Sequence, residues 1–249
     1  MPFANNQGVR IYYETVGSGP ALILHHGLFG SGAGWADFGY VDALKEHHQL
    51  ILLDARGHGE SDKPHDPAAY DVAHHTSDVQ VVMDDLSIRK ADYFGYSMGG
   101  WIGFWLARYA PQRFSSFIFA AAHPYAENMQ PFRDLMPNSA DAFTTMVDQI
   151  FGSRLTPASR SRLLANDLDA LRVLTQDRAS NADVLPNMTM PCLLFVGELD
   201  PRLAMVRKCV SELPTAAFFT LPECDHIAAL ARSDLVIPGI KAFLSKVGR

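Results

Sequence analysis

Gly95-Tyr96-Ser97-Met98-Gly99-Gly100 is the stretch from which the fold can be read. It has the form G-x-S-x-G. Lys90-Ala91-Asp92-Tyr93-Phe94 precedes it as a short strand-like run, and Trp101 to Ala107 follows it as a helical one. A serine between a strand and a helix sits on a sharp turn, and glycines two residues to either side relieve the crowding there. The turn lifts the hydroxyl clear of the backbone at a helix N-terminus, where negative charge is stabilised. Gly99, Gly103 and Ala107 fall at i, i+4 and i+8, a small-residue stripe that would let the helix lie close on a sheet.

Outward from this turn the chain alternates between two rhythms. Toward the N-terminus, strands are expected at Gly8–Glu14, Ala21–Leu24 and Gln49–Leu53, and helices at Asp37–His47 and Tyr70–Leu86. Toward the C-terminus, Ser115–Ala120, Pro191–Val196 and Ala216–Leu221 read as strands, and Met205–Leu213 and Leu235–Val247 as helices. Between His123 and Met190 strand signals vanish. Phe143, Met146, Val147, Ile150 and Phe151 repeat at helical spacing, Thr156-Pro157 opens a further helix, and Leu164, Leu168 and Leu171 mark it. The fold class is therefore α/β: a mainly parallel sheet with helices on both faces and a small helical insertion. The expected domains are a core of residues 1–122 and 191–249 and a cap of residues 123–190.

Bulk properties exclude some functions. The 249 residues are 48% hydrophobic and 19% charged, with a net charge of −6. An acidic chain without a Lys/Arg cluster points away from nucleic acid. Phe117–Ala122 is among the longest apolar runs, too short to span a membrane. Met1 to Asn6 lacks the basic and apolar regions of a secretion signal. Cys192, Cys209 and Cys224 show no C-x-x-C spacing and read as reduced thiols, so the expected location is cytoplasmic. The oligomeric state stays open.

In a parallel sheet, sites lie beyond the carboxyl ends of the strands. His25-His26, Asp54, Ser97, His123, Asp200 and His226 all follow strands by a few residues. A serine needs a base to become a nucleophile, and histidine titrates near neutrality. His226 stands between the last strand and the last helix. A carboxylate must orient its ring, and Asp200 is placed for that. Asp225 and Glu198 are competitors; Asp225 adjoins His226 too closely to reach its Nδ1 easily. His25-His26 reads as loop support rather than a metal pair, and Asp54 and His58 as braces of their own loop. His47-His48 and His74-His75 read as solvated. Trp101 and Trp105 read as packing. His123 and Tyr125 either line the pocket or serve in the core or at a hinge.

The order Ser97, Asp200, His226 is that of the α/β-hydrolases. The chain resembles that family, in its serine carboxylesterase and enol-lactonase-like branch, from about Gly8 to the C-terminal helix. His26-Gly27-Leu28-Phe29-Gly30 resembles the oxyanion loop, Asp54-Ala55-Arg56-Gly57-His58-Gly59-Glu60-Ser61 the D-x-R-G-x-G-x-S segment, and residues 123–190 the cap. The resemblance implies a catalytic triad of Ser97, Asp200 and His226, an oxyanion hole from the N–H groups of Leu28 and Met98, and no metal or organic cofactor. Candidate substrate contacts are His26, Phe29, His123, Tyr125, Met146 and Ile227.

The implied activity is hydrolysis of a small-to-medium ester or lactone, with water as co-substrate. C–C bond hydrolysis of ring-cleavage products and perhydrolase or cofactor-free haloperoxidase chemistry are the alternatives. Arg133, Arg154 and Arg178 lie in the expected cap and would serve the former only if they face inward. A ligand receptor with an intact triad and a nonenzymatic scaffold are further readings. Met129, Met136, Met146, Met188 and Met190 suggest either an adaptable apolar pocket or core filler.

Overall fold

A computed structural model of the chain describes residues 2–152 and 155–247, so Arg154 lies outside the described residues. Eight strands form one sheet: β1 (Phe3–Asn6), β2 (Val9–Val16), β3 (Ala21–His25), β4 (Gln49–Leu53), β5 (Ala91–Tyr96), β6 (Phe114–Ala120), β7 (Cys192–Gly197) and β8 (Ala216–Leu221). Their order is β1-β2-β4-β3-β5-β6-β7-β8. β1 and β2 run antiparallel to their neighbours and the other pairs are parallel. The central strands are largely apolar because helices cover both faces; Leu22, Leu24, Phe94, Ile118 and Leu194 are fully buried. Each such side chain contributes roughly 1.5–3 kcal/mol of burial.

β1 is absent from the sequence reading. Phe3-Ala4-Asn5-Asn6 has little strand propensity, but a two-residue turn at Gln7-Gly8, both at positive φ, folds it back onto β2. Asn6 then donates from Nδ2 to Asp78 Oδ1 (2.7 Å).

The helices flanking the sheet are α1 (Gly34–Asp37), α2 (Tyr40–Leu44), α3 (Val72–Asp85), α4 (Met98–Tyr109), α9 (Leu203–Glu212), α10 (Ala228–Ala231) and α11 (Ser233–Val247). The single helix expected over Asp37–His47 is instead α1 and α2, broken where Gly39 turns left-handed at φ 79°. The small-residue stripe of α4 does meet the sheet. A Cβ on Gly103 would fall 2.7 Å from the Tyr93 ring.

Among the described residues four α-helices lie between β6 and β7: α5 (Gln130–Leu135), α6 (Ala140–Phe151), α7 (Pro157–Leu164) and α8 (Leu168–Leu174). Thr156 caps α7 by accepting from Ser159 N (3.1 Å). The Leu164-Leu168-Leu171 pattern spans two helices rather than one, because Asp167 accepts from Asp169 N and Ala170 N (3.0 Å each) and starts α8. Met136, Phe143, Val147, Leu163 and Leu171 bury one another in a small apolar cluster that also takes in Phe29 from the loop after β3. Phe29 thereby ties these helices to the edge of the sheet.

Among the described residues no helix is long and apolar enough to cross a membrane.

Candidate active site

The loops after β3, β5, β7 and β8 leave the same edge of the sheet and bring His26, Ser97, Asp200 and His226 together. Ser97 is the whole link between β5 and α4. It sits at φ 53°, ψ −107°, a conformation side chains adopt only under constraint. The constraint is visible. Ser97 N donates to Ala120 O (2.8 Å) and Gly99 N to His26 O (3.1 Å). A Cβ on Gly99 would lie 2.2 Å from the His25 carbonyl oxygen, and one on Gly95 2.4 Å from the Gly99 carbonyl. Both positions exclude any other residue, as the G-x-S-x-G pattern required.

Ser97 Oγ lies 3.0 Å from His226 Nε2, and His226 Nδ1 lies 2.6 Å from Asp200 Oδ2. The carboxylate takes the Nδ1 proton, which leaves the Nε2 lone pair facing the hydroxyl. Asp200 also accepts from Arg202 N (2.8 Å). Burial alone raises the Asp200 carboxyl, but the bond to His226, its charge and the Arg202 N–H outweigh it and hold the group below the usual carboxylate range. The Nδ1 partner is thus Asp200. Asp225 accepts from Ile227 N (3.0 Å) and Ala228 N (2.6 Å), and Glu198 accepts from Thr220 Oγ1 (3.0 Å).

The glycine-rich loop is built on two buried side chains. His26 Nε2 accepts from Ala55 N (3.0 Å), so its proton is on Nδ1, which donates to Gly27 O (2.7 Å). Burial lowers the pKa of this ring, against the pull of Asp54. Asp54 accepts from Gly32 N (2.6 Å) and Glu60 N (2.8 Å). Arg56 grips Asp78 of α3 through Nε and Nη2, 2.6 Å each. His58 Nδ1 lies 3.1 Å from Arg56 O, and the bracing roles expected of His26, Asp54 and His58 match these contacts. Phe29 stands at φ 68°, and Asn166 Nδ2 holds its carbonyl (3.0 Å). Among the described residues the N–H groups of Leu28 and Met98 donate to no protein acceptor.

A cavity of about 320 Å³ opens over Ser97 and His226. His26, Phe29 and Ile227 line it as expected; the other wall residues include Phe132, Phe151, Leu155 and Leu163. His123, Tyr125 and Met146 do not line it, which corrects three expected contacts. Tyr125 turns away to donate to Glu212 Oε2 (2.8 Å) under the Lys208 ammonium, and the His123 ring packs on it. Met146 packs into the small apolar cluster among α5–α8. Of the five methionines singled out, Met129 alone lines the cavity, so aromatic rather than methionine side chains form its roof.

Two arginines in the wall carry the main polar surprise. Arg178 donates from Nη1 to Glu127 Oε2 (2.9 Å), and Arg202 from Nη2 to Glu127 Oε1 (2.5 Å). Burial pushes the Arg178 guanidinium down to about 10 against the pull of Glu127, and Arg202 pushes it the same way. Burial raises Glu127, but the two guanidinium groups bring it below its ordinary value. Arg202 was not singled out from the sequence; its place two residues after Asp200 was the available signal. Arg133 instead pairs with Asp177 (2.9 Å) outside the cavity wall.

His75 is a further correction. It was expected in solvent, yet it is 2% exposed, against Tyr70 and Trp101. Burial, aided by Arg56, pushes its pKa down to about 3.

The sequence pattern of the alpha/beta hydrolase fold matches residues 20–168. The chain belongs to the α/β-hydrolase family. It is an α/β-fold hydrolase. It is 25% identical over 97% of both chains to a putative 2-succinyl-6-hydroxy-2,4-cyclohexadiene-1-carboxylate synthase of Bacillus subtilis. It is 27% identical to the pimeloyl-[acyl-carrier protein] methyl ester esterase of Vibrio campbellii, over 94% of this chain and 98% of that one. The enol-lactonase of Burkholderia xenovorans superposes with a TM-score of 0.84 at 25% identity, over 98% of this chain and all of the other.

Proposed function

We propose that this hydrolase cleaves small-to-medium carboxylic esters or lactones through an acyl-enzyme formed on Ser97. The observation that carries the reading is the line from Asp200 Oδ2 through His226 to Ser97 Oγ, at 2.6 and 3.0 Å, at the base of the cavity. His226 takes the serine proton as Oγ attacks the carbonyl carbon. Asp200 steadies the imidazolium that forms. The unpaired N–H groups of Leu28 and Met98 receive the oxyanion, each typically contributing ~10²–10³ in kcat. His226 returns the proton to the departing alcohol, then activates a water that releases the acid. Residues 123–190 act as a cap over a core of residues 1–122 and 191–249. The chemistry draws on no metal or organic cofactor. Buried free thiols at Cys192 and Cys209 favour a reducing, cytoplasmic setting.

A fluorophosphonate probe tests the nucleophile. Label is expected on Ser97 and absent from Ser97→Ala; label elsewhere overturns the assignment. A turnover screen of p-nitrophenyl esters, lactones and ring-fission dienones, with peracid formation measured alongside, tests the reaction, because the same triad serves C–C hydrolysis and perhydrolysis.

A further inference from the structure

Glu127, Arg178 and Arg202 form an ion trio in which two cations share one carboxylate. The backbone fixes it: Glu127 N donates to Arg178 O (3.0 Å) and Arg178 N to Glu127 O (2.9 Å). The Arg178 guanidinium lies over the Trp101 ring at 5.0 Å. The Arg178 and Arg202 side chains are 12% and 19% exposed, and both contribute to the cavity wall. Among the described residues, Glu127 is the acidic partner of each. Asp200 lies close enough for the Arg202 charge to help lower its carboxyl, while its oxygens accept from His226 Nδ1 and the Arg202 backbone N–H. Arg162, the other arginine of the wall, differs. It is matched one for one by Asp37, and its side chain is more exposed.

A guanidinium has five N–H donors in a rigid fork, and one shared carboxylate oxygen each leaves most of them unspent. Arg178 spends one N–H group on Glu127, and its place in the cavity wall leaves the rest of the fork for an anion bound there. The rest of the wall is largely apolar, so a neutral substrate would bring no partner. We propose that Arg178, backed by Arg202, binds a carboxylate of the substrate, so that the ester or lactone cleaved at Ser97 carries an acid group away from its scissile carbonyl. This deepens the hydrolase reading and rests on it. The competing account is that the trio only fastens residues 127 and 178 to the loop after β7.

The test compares mono-p-nitrophenyl adipate with its neutral methyl ester on the full chain. Wild type is expected to favour the acid in kcat/KM by about tenfold or more, the range of one charge-assisted, desolvated pair. Arg178→Gln should bring the ratio close to one. Arg178→Lys, which keeps the ion pair with Glu127 but loses the fork, should lie between, and it carries the test if the glutamine variant does not fold. A wild-type preference for the neutral ester, or an unchanged ratio in both variants, overturns the proposal. Calorimetric binding of monomethyl adipate to Ser97→Ala, with and without Arg178→Lys, needs no turnover. Weaker binding in the double variant upholds the anion site even if the fluorophosphonate result sinks the hydrolase reading; equal binding overturns it.

Discussion

Tyr96 Oη donates a hydrogen bond of 2.5 Å to the backbone carbonyl of His226. The residue before Ser97 thus holds the chain that carries its proposed base, 130 positions away. Burial keeps the Tyr96 phenol well above its ordinary pKa, so it stays a donor throughout any practical assay range. Its ring also packs 5.6 Å from the imidazole.

Tyr96→Phe should therefore keep the packing and lose only the tether. A buried hydrogen bond contributes about 0.5–1.5 kcal/mol, so kcat should fall by roughly two- to tenfold if the loss appears in imidazole alignment. Steady-state kinetics and a melting curve check this. A kcat equal to wild type would mean that the loop after β8 positions His226 without Tyr96.

Asp200→Asn should damage kcat far more than Asp225→Asn. Asparagine at 200 offers an amide where Nδ1–H needs an acceptor and can hold the wrong tautomer. Such a change costs ~10⁴ in kcat in the best-studied triad. Asparagine at 225 still presents an oxygen to Ile227 N and Ala228 N, so a change within about tenfold is expected. The reverse ranking would make Asp225 the orienting acid.

Stability should fall as the solution is made acidic, before most carboxylates titrate. His25, His26 and His58 are buried with pKa values lowered by desolvation, and His75 is pushed down to about 3. The sign follows from linkage. The folded rings stay neutral while the unfolded chain takes up protons below ~6.5, so each drop in pH favours unfolding. Each such histidine contributes up to roughly 1.4 kcal/mol per pH unit until its folded pKa is reached. Asp200 adds to the loss at lower pH, since its depressed carboxyl must be protonated. Arg56, Arg178 and His74 face His75 and oppose its protonation. Melting temperatures from pH 8 to 4 should decline, and His75→Gln should flatten the slope. A slope unchanged by that substitution would remove His75 from the account.

The cavity of about 320 Å³ is near the small end for ligand pockets, which run from ~300 Å³ upward. Its aromatic side chains Phe29, Phe132 and Phe151 are less adaptable than a methionine lining, one of the two readings of the methionines, would be. Across p-nitrophenyl esters of rising chain length, kcat/KM should peak at short-to-medium acyl groups and decline beyond them. Emulsified triglyceride should give no jump in rate. A maximum at long chains would require a tunnel that this roof does not enclose.

The proposed nucleophile and its partners were legible in the sequence because their signals are local or ordered along the chain. A serine flanked by glycines between strand and helix has one steric solution, and the clashes at Gly95 and Gly99 are that solution seen in space. Apolar runs and helical periodicity likewise report burial of adjacent residues, so the parallel centre of the sheet and the insertion after β6 could be anticipated. The choice of Asp200 over Asp225 also followed from spacing along one loop. What tertiary structure decided depends on which distant side chains share a face. His75 enters the interior only because α3 and α4 pack together, and Tyr125 leaves the pocket only because α9 offers Glu212. Glu127, Arg178 and Arg202 are separated by 51 and 75 positions from carboxylate to cation, and no periodicity links them. Their meeting, like the tether from Tyr96 to His226, is a product of long-range packing, where backbone spacing carries no information about side-chain direction.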